Sequence, residues 1–430
     1  MQYELIGIGA GPANLGLAAL CESINNINCL FLEKQKDFSW HPGMLLPNAK
    51  LQVSFLKDLV TLIDPTNKYS FLNYLQDQQR LYQFITADFD QINRQEFNQY
   101  LKWVSSWLSS LQMNIEVSEI NFQDSHFKIS TTAGTTLFAK NISIGVGQTP
   151  IIPNFAKNIL GDQVIHSSQY MLSEHDFSDK DVLVIGSGQS GAEIFNDLIQ
   201  SSPSEPRHVS WVTRSPLFTP MDDSAFANEL FTPKYSHFFY DLPLSKRTDL
   251  LLKQRHASDG ISLYSAKDIF RRLYEIQFLG DSKIKTRLSP QSEVVQIQKR
   301  DKKYEVLVRN TLLERNEYIL VDYIILCTGY ESKEPDFLAP ISNLIERESG
   351  KYLVNKDYSL KWAGEAKAKI FIGNGAKNSH GIADPNLSLL AYRNAVIVNS
   401  FLGYEHYKKI DGKTFIDWNI QQQECYELAY

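Results

Sequence analysis

A glycine-rich turn between an apolar, strand-like run and a helix-like run occurs twice in this chain. The first turn, GAGPAN, begins at Gly9 after the run YELIGI and carries Asn14 at the position of a third glycine. The second turn, GSGQSG at 186–191, has all three glycines. Glycines at these positions let the backbone approach a pyrophosphate at the positive end of the following helix. The sequence therefore predicts an α/β fold with two Rossmann-like dinucleotide-binding domains, although either turn alone would also suit an ordinary strand–helix connection.

The residue that ends the strand after each turn distinguishes the two predicted sites. Glu33 closes the run NCLFLE, at a position where an acid binds the hydroxyl pair of a ribose. Arg214 closes the run HVSWVTR, where a guanidinium accepts a 2′-phosphate that an acid would repel. We therefore expect FAD at the first turn and NADPH at the second, with a solvated surface charge as the alternative reading of Arg214. The expected contacts are Gly9, Gly11, Pro12, Asn14 and Glu33 for FAD, and Gly186, Gly188, Gln189, Ser190, Gly191 and Arg214 for NADPH.

Composition and cysteine spacing argue against several other classes of function. The 430 residues carry a net charge of −6, which argues against a nucleic-acid-binding protein with a basic face. The four cysteines form no CxxC pair and no cluster with histidines, so neither a redox disulfide nor a metal site is expected. The absence of a bilayer-length apolar run and of a signal peptide favours a cytoplasmic protein. A two-dinucleotide flavoprotein without a redox disulfide is expected to be a monooxygenase rather than a disulfide reductase.

The order of strand and helix patterns predicts how the chain is divided. Residues 1–165 and 335–430 are expected to build the FAD-binding domain, and residues 175–330 the NADPH-binding domain. Residues 215–280 mix apolar and aromatic residues with turns, and they are expected to form a mostly helical insert that closes the substrate site. A long helix is expected at 95–113.

Seven longer segments carry a more specific pattern than the glycine turns. They are GAGPANLGLAA (9–19), FSWHPGMLLP (38–47), LQVSFLKDLVTLIDPTNKYSFLNYL (51–75), GSGQSGAE (186–193), PMDDSAFANELF (220–231), DYIILCTGY (322–330) and HGIADPNLSLLAYR (380–393). Together they resemble the flavin-dependent N-hydroxylating monooxygenases, which include the lysine, ornithine and diamine N-hydroxylases of siderophore pathways. The resemblance follows the family's order over nearly the whole chain.

This resemblance implies a reaction in which NADPH reduces FAD and O₂ adds to the reduced flavin as a C4a-hydroperoxide. The terminal primary amine of a small substrate then attacks the distal oxygen, and the hydroxylated product enters hydroxamate siderophore biosynthesis. An alkyl ammonium has a pKa of about 10.4 and must lose its proton first, which apolar surroundings favour. The resemblance also implies a homodimer or homotetramer.

The resemblance assigns site residues position by position. Gln52 matches a glutamine near the flavin and nicotinamide, Lys57 a lysine at the polar end of the substrate, and Asn228 an asparagine near the substrate and nicotinamide ribose. These three are the expected catalytic residues, and Lys57 and Asn228 are also the expected substrate contacts. From the sequence alone, Lys57 could extend from a core helix, Asn228 could cap a helix and His41 could be a turn histidine. The flavin wall is expected to comprise Trp40, His41, Gln52, Asp384, Leu387 and Ser388.

The expected substrate is a small diamine. The segment ASDGISLYSAKDIFRRLY (257–274) looks more like the lysine and diamine members, and LYQFITADFD (81–90) looks more like the diamine members. The TNYS segment of the ornithine enzymes is missing. Putrescine or cadaverine is therefore expected, then lysine, histamine and ornithine. An uncoupled NADPH–flavin oxidase and a regulatory flavoprotein are the alternatives, although the intact second turn argues against the latter. A diamine would bring a second ammonium that Lys57 repels unless Lys57 pairs with Asp58 or another acid.

Overall fold

The computed structural model describes residues 2–200, 204–280, 282–408 and 412–418. The strands are β1 (Gln2–Ile8), β2 (Cys29–Glu33), β3 (Leu111–Met113), β4 (Val117–Gln123), β5 (His126–Thr131), β6 (Thr136–Ile144), β7 (Thr149–Pro150), β8 (Val164–His166), β9 (Asp181–Ile185), β10 (His208–Val212), β11 (Lys285–Ser289), β12 (Ser292–Arg300), β13 (Lys303–Asn310), β14 (Arg315–Val321), β15 (Tyr323–Leu326), β16 (Tyr330–Glu331), β17 (Arg347–Glu348), β18 (Lys351–Tyr352) and β19 (Ile370–Ile372). The α-helices are α1 (Pro12–Glu22), α2 (Phe71–Asp77), α3 (Leu81–Ala87), α4 (Arg94–Trp107), α5 (Gln189–Ile199), α6 (Ala225–Asn228), α7 (Pro233–Asp241), α8 (Leu244–Lys253), α9 (Arg255–Ser258), α10 (Leu263–Tyr274), α11 (Lys377–His380) and α12 (Leu390–Leu402). Short 3₁₀ segments lie at Pro42–Met44, Ser167–Gln169, Glu229–Phe231, Asp336–Leu344 and Leu387–Leu389, and a π-helical turn lies at Glu275–Leu279.

The first domain is built on a mainly parallel sheet with the strand order β3-β2-β1-β6-β5-β4. β1 lies between β2 and β6, is parallel to both, and buries the run LIGI completely. Such a run shows no polar alternation because a central parallel strand is covered on both faces. β19 pairs in parallel with β6, so the C-terminal part of the chain contributes to the sheet of the first domain.

The second domain is built on a parallel sheet with the order β11-β10-β9-β15-β8. Alternate residues of β9 enter separate apolar clusters, Val184 in one and Leu183 in the other, so both faces of this sheet are covered. β8 includes residue 165, where the first chain segment is predicted to end. The two parallel sheets with their helices confirm the predicted α/β class with two Rossmann-like domains.

Residues 215–280, between β10 and β11, contain α6 to α10 and form the mostly helical segment that the sequence predicts. α10 packs through Ile269 onto the apolar cluster that also contains Ala192 of α5. An antiparallel sheet of β12, β13 and β14 follows and covers the other face of the second domain. Within the described ranges, no helix is both long and apolar enough to cross a membrane.

The helix predicted at 95–113 is shorter in the structure. α4 ends at Trp107, and residues 111–113 form β3 at the edge of the first sheet. β3 runs parallel to β2, with Leu111 opposite Phe31. A strand of three residues has too few positions to show a period of two, so the apolar pattern of the sequence extends the helix across it.

A largely buried ion pair joins the two domains. Arg94, the first residue of α4, donates hydrogen bonds of 2.7 and 2.9 Å to the carboxylate of Glu193 on α5. The same guanidinium donates to the backbone oxygen of Met44 at 2.9 Å, and Gln189 donates to Glu193 at 3.0 Å. The two charged side chains are only 14% and 5% exposed. Loss of either partner would therefore leave the other charge shielded from water without compensation.

The segment after the second strand also belongs to both domains. Met44, Leu46 and Ala49 precede most of the first sheet in the chain, yet they pack in an apolar cluster of the second domain. The backbone around Gly43 is so close to Ser168 that a β-carbon at Gly43 would collide with the Ser168 carbonyl group. This segment therefore fixes the first domain against the second.

We predict that Arg94→Ala lowers the melting temperature of the FAD-loaded protein by at least about 5 °C, because Glu193 becomes an unpaired buried charge. Lys253→Ala is the matched control, since it removes an exposed ion pair with Asp249 and should change stability by less than about 1 kcal/mol. The double variant Arg94→Met, Glu193→Met should lose less stability than either single change, because no charge stays unpaired. Equal melting temperatures for Arg94→Ala and the control would contradict this role.

Candidate functional site

The first glycine turn has an open side. Gly9 adopts a φ of +88°, and a β-carbon there would lie 2.5 Å from the carbonyl oxygen of Gly145. A β-carbon on Gly11 would meet only that same oxygen, at 3.8 Å. The space in front of Gly11, at the start of α1, therefore suits the close approach of a pyrophosphate.

Asn14 holds this turn in place of the third glycine. Its amide nitrogen donates to the backbone oxygens of Gly9 (2.8 Å) and Ile8 (3.1 Å), and its amide oxygen accepts from Ser143 on β6 (2.8 Å). Pro12 is the first residue of α1, where its fixed φ suits the helix start. The Glu33 carboxylate accepts from the backbone nitrogen of Ala10 at 2.7 Å, which places its acid at the edge of the same turn.

The second glycine turn repeats this arrangement. Gly186 has a φ of +114° and packs against the carbonyl oxygen of Cys327, and Gly191 packs against the backbone of Gly186. A β-carbon on Gly188 would have no atom within 4 Å, so this turn also has open space at the start of α5. Ser190 lies half-buried in the first turn of that helix.

The side chain of Gln189 forms hydrogen bonds within the protein, whereas that of Arg214 is exposed. The side chain of Gln189 donates to Ser265 at 3.0 Å and accepts from the backbone of Ser262 at 2.8 Å, so it ties α5 to the insert. Arg214 is exposed at the end of β10 and makes no ion pair with any described residue. Its guanidinium is therefore available to a phosphate, and its predicted role stays a prediction.

Trp40 and His41, which follow β2 in the chain, are in contact with each other, and their predicted place on the flavin wall stays a prediction. Asn98 on α4 accepts a hydrogen bond of 2.7 Å from the backbone nitrogen of Trp40, whose ring meets that of His41 edge-on at 5.0 Å. His41 has a left-handed backbone with a φ of +49°. His41 is exposed, but the protein atoms around it and the charge of Arg94 lower its pKa to about 4. His41 is therefore a neutral surface at physiological pH.

Lys57 lies against the C-terminal segment. Its ammonium donates to the hydroxyl of Ser388 at 3.0 Å, although 331 positions separate the two residues in the chain. Burial lowers the pKa of Lys57. Asp58 does not neutralise it, because the Asp58 carboxylate already accepts from the backbone of Val60, Thr61 and Phe71 at 2.7–3.0 Å. Lys57 makes no ion pair with any acid in the described ranges.

The other predicted residues of the C-terminal segment lie at different depths. Ser388 is buried, while Leu387 is partly exposed beside it. Asp384 is almost wholly buried, where it accepts from the backbone of Ala376 at 2.9 Å and from Arg393 at 3.1 Å. The buried carboxylate of Asp384 therefore stabilises the conformation of the C-terminal segment through these hydrogen bonds.

Gln52 and Asn228 retain polar atoms that the protein does not use. Gln52 is half-buried, and its side chain makes no hydrogen bond within the part of the chain that the structure describes. Asn228, at the end of α6, is exposed and donates to the backbone oxygens of Asp223 (2.9 Å) and Ser224 (3.1 Å). Its amide oxygen accepts no hydrogen bond from any residue that the structure describes. Asn228 thus stabilises its own short helix, and its predicted substrate contact stays a prediction.

Glu229, which follows Asn228, is a candidate site residue that the sequence patterns do not predict. Its Oε2 atom is shielded from solvent and has no hydrogen-bond partner among the described residues. The segment Glu229–Phe231 packs through Phe231 against Ala383, Leu389 and Tyr392, which flank Ser388. The feature that identifies Glu229 is its unpaired buried oxygen. This feature is visible in the folded structure and not in the sequence.

Comparisons with known proteins agree on one family. The family described as L-lysine 6-monooxygenase/L-ornithine 5-monooxygenase matches residues 1–332. The L-lysine N6-monooxygenase of Escherichia coli is 35% identical over 97% of this chain and 98% of its own length, and the putrescine N-hydroxylase of Shewanella oneidensis is 36% identical over 97% and 85%. The FAD-bound cadaverine monooxygenase of the desferrioxamine pathway from Erwinia amylovora superposes with a TM-score of 0.92 at 30% identity, covering 99% of this chain and 100% of its own.

We predict that Gly11→Trp yields colourless protein, because an indole at this position would occupy the path of the FAD pyrophosphate. Gly161→Trp is the control, since a β-carbon there meets no atom within 4 Å and Gly161 is not part of the glycine turn. The ratio of flavin to protein absorbance measures the effect. A Gly11→Trp protein that stays as yellow as the control would refute the assigned position.

We expect Arg214→Ala to raise the KM for NADPH about tenfold or more and to leave the KM for NADH nearly unchanged, because only NADPH carries the 2′-phosphate. Arg315→Ala, which removes another exposed arginine on β14, should affect neither cofactor. Steady-state NAD(P)H oxidation measures all four constants. An equal effect of Arg214→Ala on both cofactors would exclude the phosphate contact.

Proposed function

Because the chain belongs to the family of L-lysine 6-monooxygenases and L-ornithine 5-monooxygenases, we propose that it hydroxylates one terminal amine of putrescine or cadaverine. The protein is a flavin-dependent N-hydroxylating monooxygenase. Its reaction consumes NADPH and O₂, and its product would enter the biosynthesis of a hydroxamate siderophore.

FAD and NADPH are the cofactors, and the open turns at Gly11 and Gly188 suit their pyrophosphates. Bound FAD supplies the oxygen chemistry after NADPH has reduced it. The chain itself must hold both dinucleotides, exclude water and present a neutral amine. The neutral His41 and the ring of Trp40 suit a dry wall of this kind, because neither brings a charge to the flavin site.

The surroundings of Lys57 favour the neutral form of an amine. Burial lowers the pKa of the Lys57 ammonium because protein atoms solvate a charge less well than water does. The reacting amine, at the other end of a substrate held in the same site, would lose solvation for the same reason if its surroundings are equally apolar. The site would therefore shift the amine towards the form that has a free electron pair, without a dedicated general base.

The observation that carries the choice of a diamine is the unpaired carboxylate oxygen of Glu229. A buried carboxylate oxygen without a hydrogen bond costs about 1–3 kcal/mol or more, so a cationic partner would stabilise it. The second ammonium of a diamine provides a cation and no anion. Lys57 already donates to Ser388 and therefore needs no substrate carboxylate to satisfy one of its hydrogen bonds.

L-Lysine is the second candidate, and a specific observation favours it. Lys57 is desolvated and has no acidic partner among the described residues, so a substrate carboxylate would compensate its charge. In that arrangement Lys57 would bind the α-carboxylate, and Glu229 would bind the α-ammonium. The two candidates therefore differ in whether the substrate uses Lys57 in addition to Glu229.

A panel of putrescine, cadaverine, L-lysine, L-ornithine, histamine and n-pentylamine tests the proposal, with hydroxylamine formation as the measured product. We expect kcat/KM to be highest for putrescine or cadaverine. Pentylamine should react at least about tenfold less efficiently than cadaverine, because it lacks the second ammonium. A higher kcat/KM for lysine than for both diamines would replace the proposal by its second candidate.

Two variants should lower kcat/KM for different substrates of this panel. Glu229→Gln should lower kcat/KM for cadaverine by about tenfold to 100-fold and change that for pentylamine little, because it removes a charge-assisted hydrogen bond. Lys57→Ala should lower kcat/KM for lysine much more than for cadaverine, with flavin content unchanged. Glu348→Gln, which changes an exposed acid on β17, is the control. The same loss for cadaverine and pentylamine in Glu229→Gln would exclude an ammonium contact.

A further inference from the structure

One helix of the insert, α7, is attached to the C-terminal segment of the candidate site. Its residue Ser236 donates to the backbone oxygen of His380 at 3.1 Å. The next residue, His237, has a ring nitrogen 2.7 Å from the hydroxyl of Tyr392 on α12. Tyr392 follows shortly after Ser388 in the chain. The position of α7 is therefore tied to the segment that contains Ser388.

A second face of α7 is covered by an aromatic residue from much later in the chain. The indole of Trp418 meets the ring of Tyr235 edge-on at 4.7 Å and stacks on the ring of Phe238 at 6.0 Å. Tyr235 and Phe238 are three positions apart, so they share one face of the helix. Tyr235 is completely buried by its neighbours. We name these three residues the aromatic clamp (Trp418, Tyr235 and Phe238).

A short series of hydrogen bonds connects the aromatic clamp with Glu229. The backbone nitrogen of Tyr235 donates at 3.3 Å to the hydroxyl of Thr232, which caps the start of α7. The same hydroxyl donates to the backbone oxygen of Glu229 at 2.8 Å. Phe231 packs against the residues that flank Ser388. A shift of α7 would therefore move the unpaired carboxylate oxygen of Glu229 relative to Ser388.

The chain that leads to Trp418 is anchored to the first domain. The hydroxyl of Tyr407 donates to the backbone oxygen of Leu20 on α1 at 2.7 Å. The side-chain oxygen of Asn399 on α12 accepts from the backbone nitrogens of His406 and Tyr407, both at 2.9 Å. Because Trp418 follows these residues in the chain, its contact with α7 joins the insert to the domain of the first glycine turn.

We propose that Trp418 is a positioning residue of the substrate site, which holds α7 and, through Thr232, the segment Glu229–Phe231 against the C-terminal segment. This inference rests on the proposed function, in which Glu229 binds the second ammonium of the substrate. The ring contacts carry the effect, because edge-on and offset aromatic pairs at these distances attract each other. The indole nitrogen of Trp418 is shielded from solvent and has no hydrogen-bond partner among the described residues.

Steady-state kinetics of the FAD-loaded protein, with the favoured amine of the panel and with n-pentylamine, test this role. Trp418→Ala should raise the KM for the favoured amine at least about fivefold and that for pentylamine less than about twofold, because pentylamine has no ammonium for Glu229. The value of kcat should change less than about twofold, since a contact at the non-reacting end contributes uniform binding. FAD content and the KM for NADPH should stay unchanged.

Two further variants show whether the ring contacts carry the effect. Trp418→Phe should recover most of the loss, because it keeps an aromatic ring and removes a nitrogen that makes no hydrogen bond. Phe415→Ala is the matched control, since Phe415 precedes Trp418 in the same segment and is 96% exposed. An equal rise in KM for both amines, a parallel loss of FAD or no recovery in Trp418→Phe would overturn the proposal.

The double variant Trp418→Ala, Glu229→Gln separates this inference from the proposed function. If Trp418 acts through Glu229, the double variant should have a KM for the favoured amine within about twofold of that of Glu229→Gln alone. The full additional effect of Trp418→Ala in that background would overturn the proposal. A selective loss in Glu229→Gln without any effect of Trp418→Ala would also overturn it, but would leave the proposed function intact. If Glu229→Gln changes nothing, the ammonium contact of the proposed function fails and this inference fails with it.

Discussion

The ion pair between Arg94 and Glu193 is the contact on which the relative position of the two domains depends. It joins the first residue of α4 to α5, the helix that begins at the second glycine turn. The same arginine donates to the backbone oxygen of Met44, and its charge adds to the effect of burial in lowering the pKa of His41. Through Gln189, the network reaches Ser262 and Ser265 of the insert. One arginine thus joins α4 of the first domain to α5 of the second and, through Gln189, to the insert.

Most of the fold could be predicted from the sequence, because glycine turns and buried strands depend on residues that are close together in the chain. The turns at Gly9 and Gly186 need a left-handed backbone and close packing, and both requirements are visible in the order of glycines. The end of α4 was not predictable, since β3 exists only where β2 offers an edge. A three-residue strand depends on its neighbour rather than on its own pattern.

The candidate site was predictable only in part. Lys57 and Ser388 were both expected at the site, and the structure brings them to 3.0 Å of each other. That pairing depends on how the C-terminal segment folds back, which no local pattern specifies. Glu229 was not predictable from the sequence, because a carboxylate between Asn228 and an apolar residue resembles any acid on a helix surface. Only the burial of its carboxylate oxygen distinguishes it. Likewise, the domain-joining role of Arg94 has no sequence signature.

The charged side chains at the candidate site bear on which amine is the substrate. The Asp58 carboxylate accepts hydrogen bonds from backbone groups. The ammonium of Lys57 therefore donates to the Ser388 hydroxyl instead of pairing with this acid. Lys57 and Glu229 are therefore charged groups of opposite sign that no protein partner neutralises among the described residues. A primary amine with a second charged end can use one of them or both, and this choice separates the diamines from lysine.

The amount of hydroxylamine formed per NADPH consumed, with cadaverine or putrescine as the amine, tests the central claim most directly. A flavin-dependent N-hydroxylase of these amines should approach one hydroxylamine per NADPH at a saturating concentration of substrate. Rapid NADPH consumption with hydrogen peroxide as the product, and with a ratio near zero for every amine in the panel, would contradict the account and identify an uncoupled NADPH oxidase.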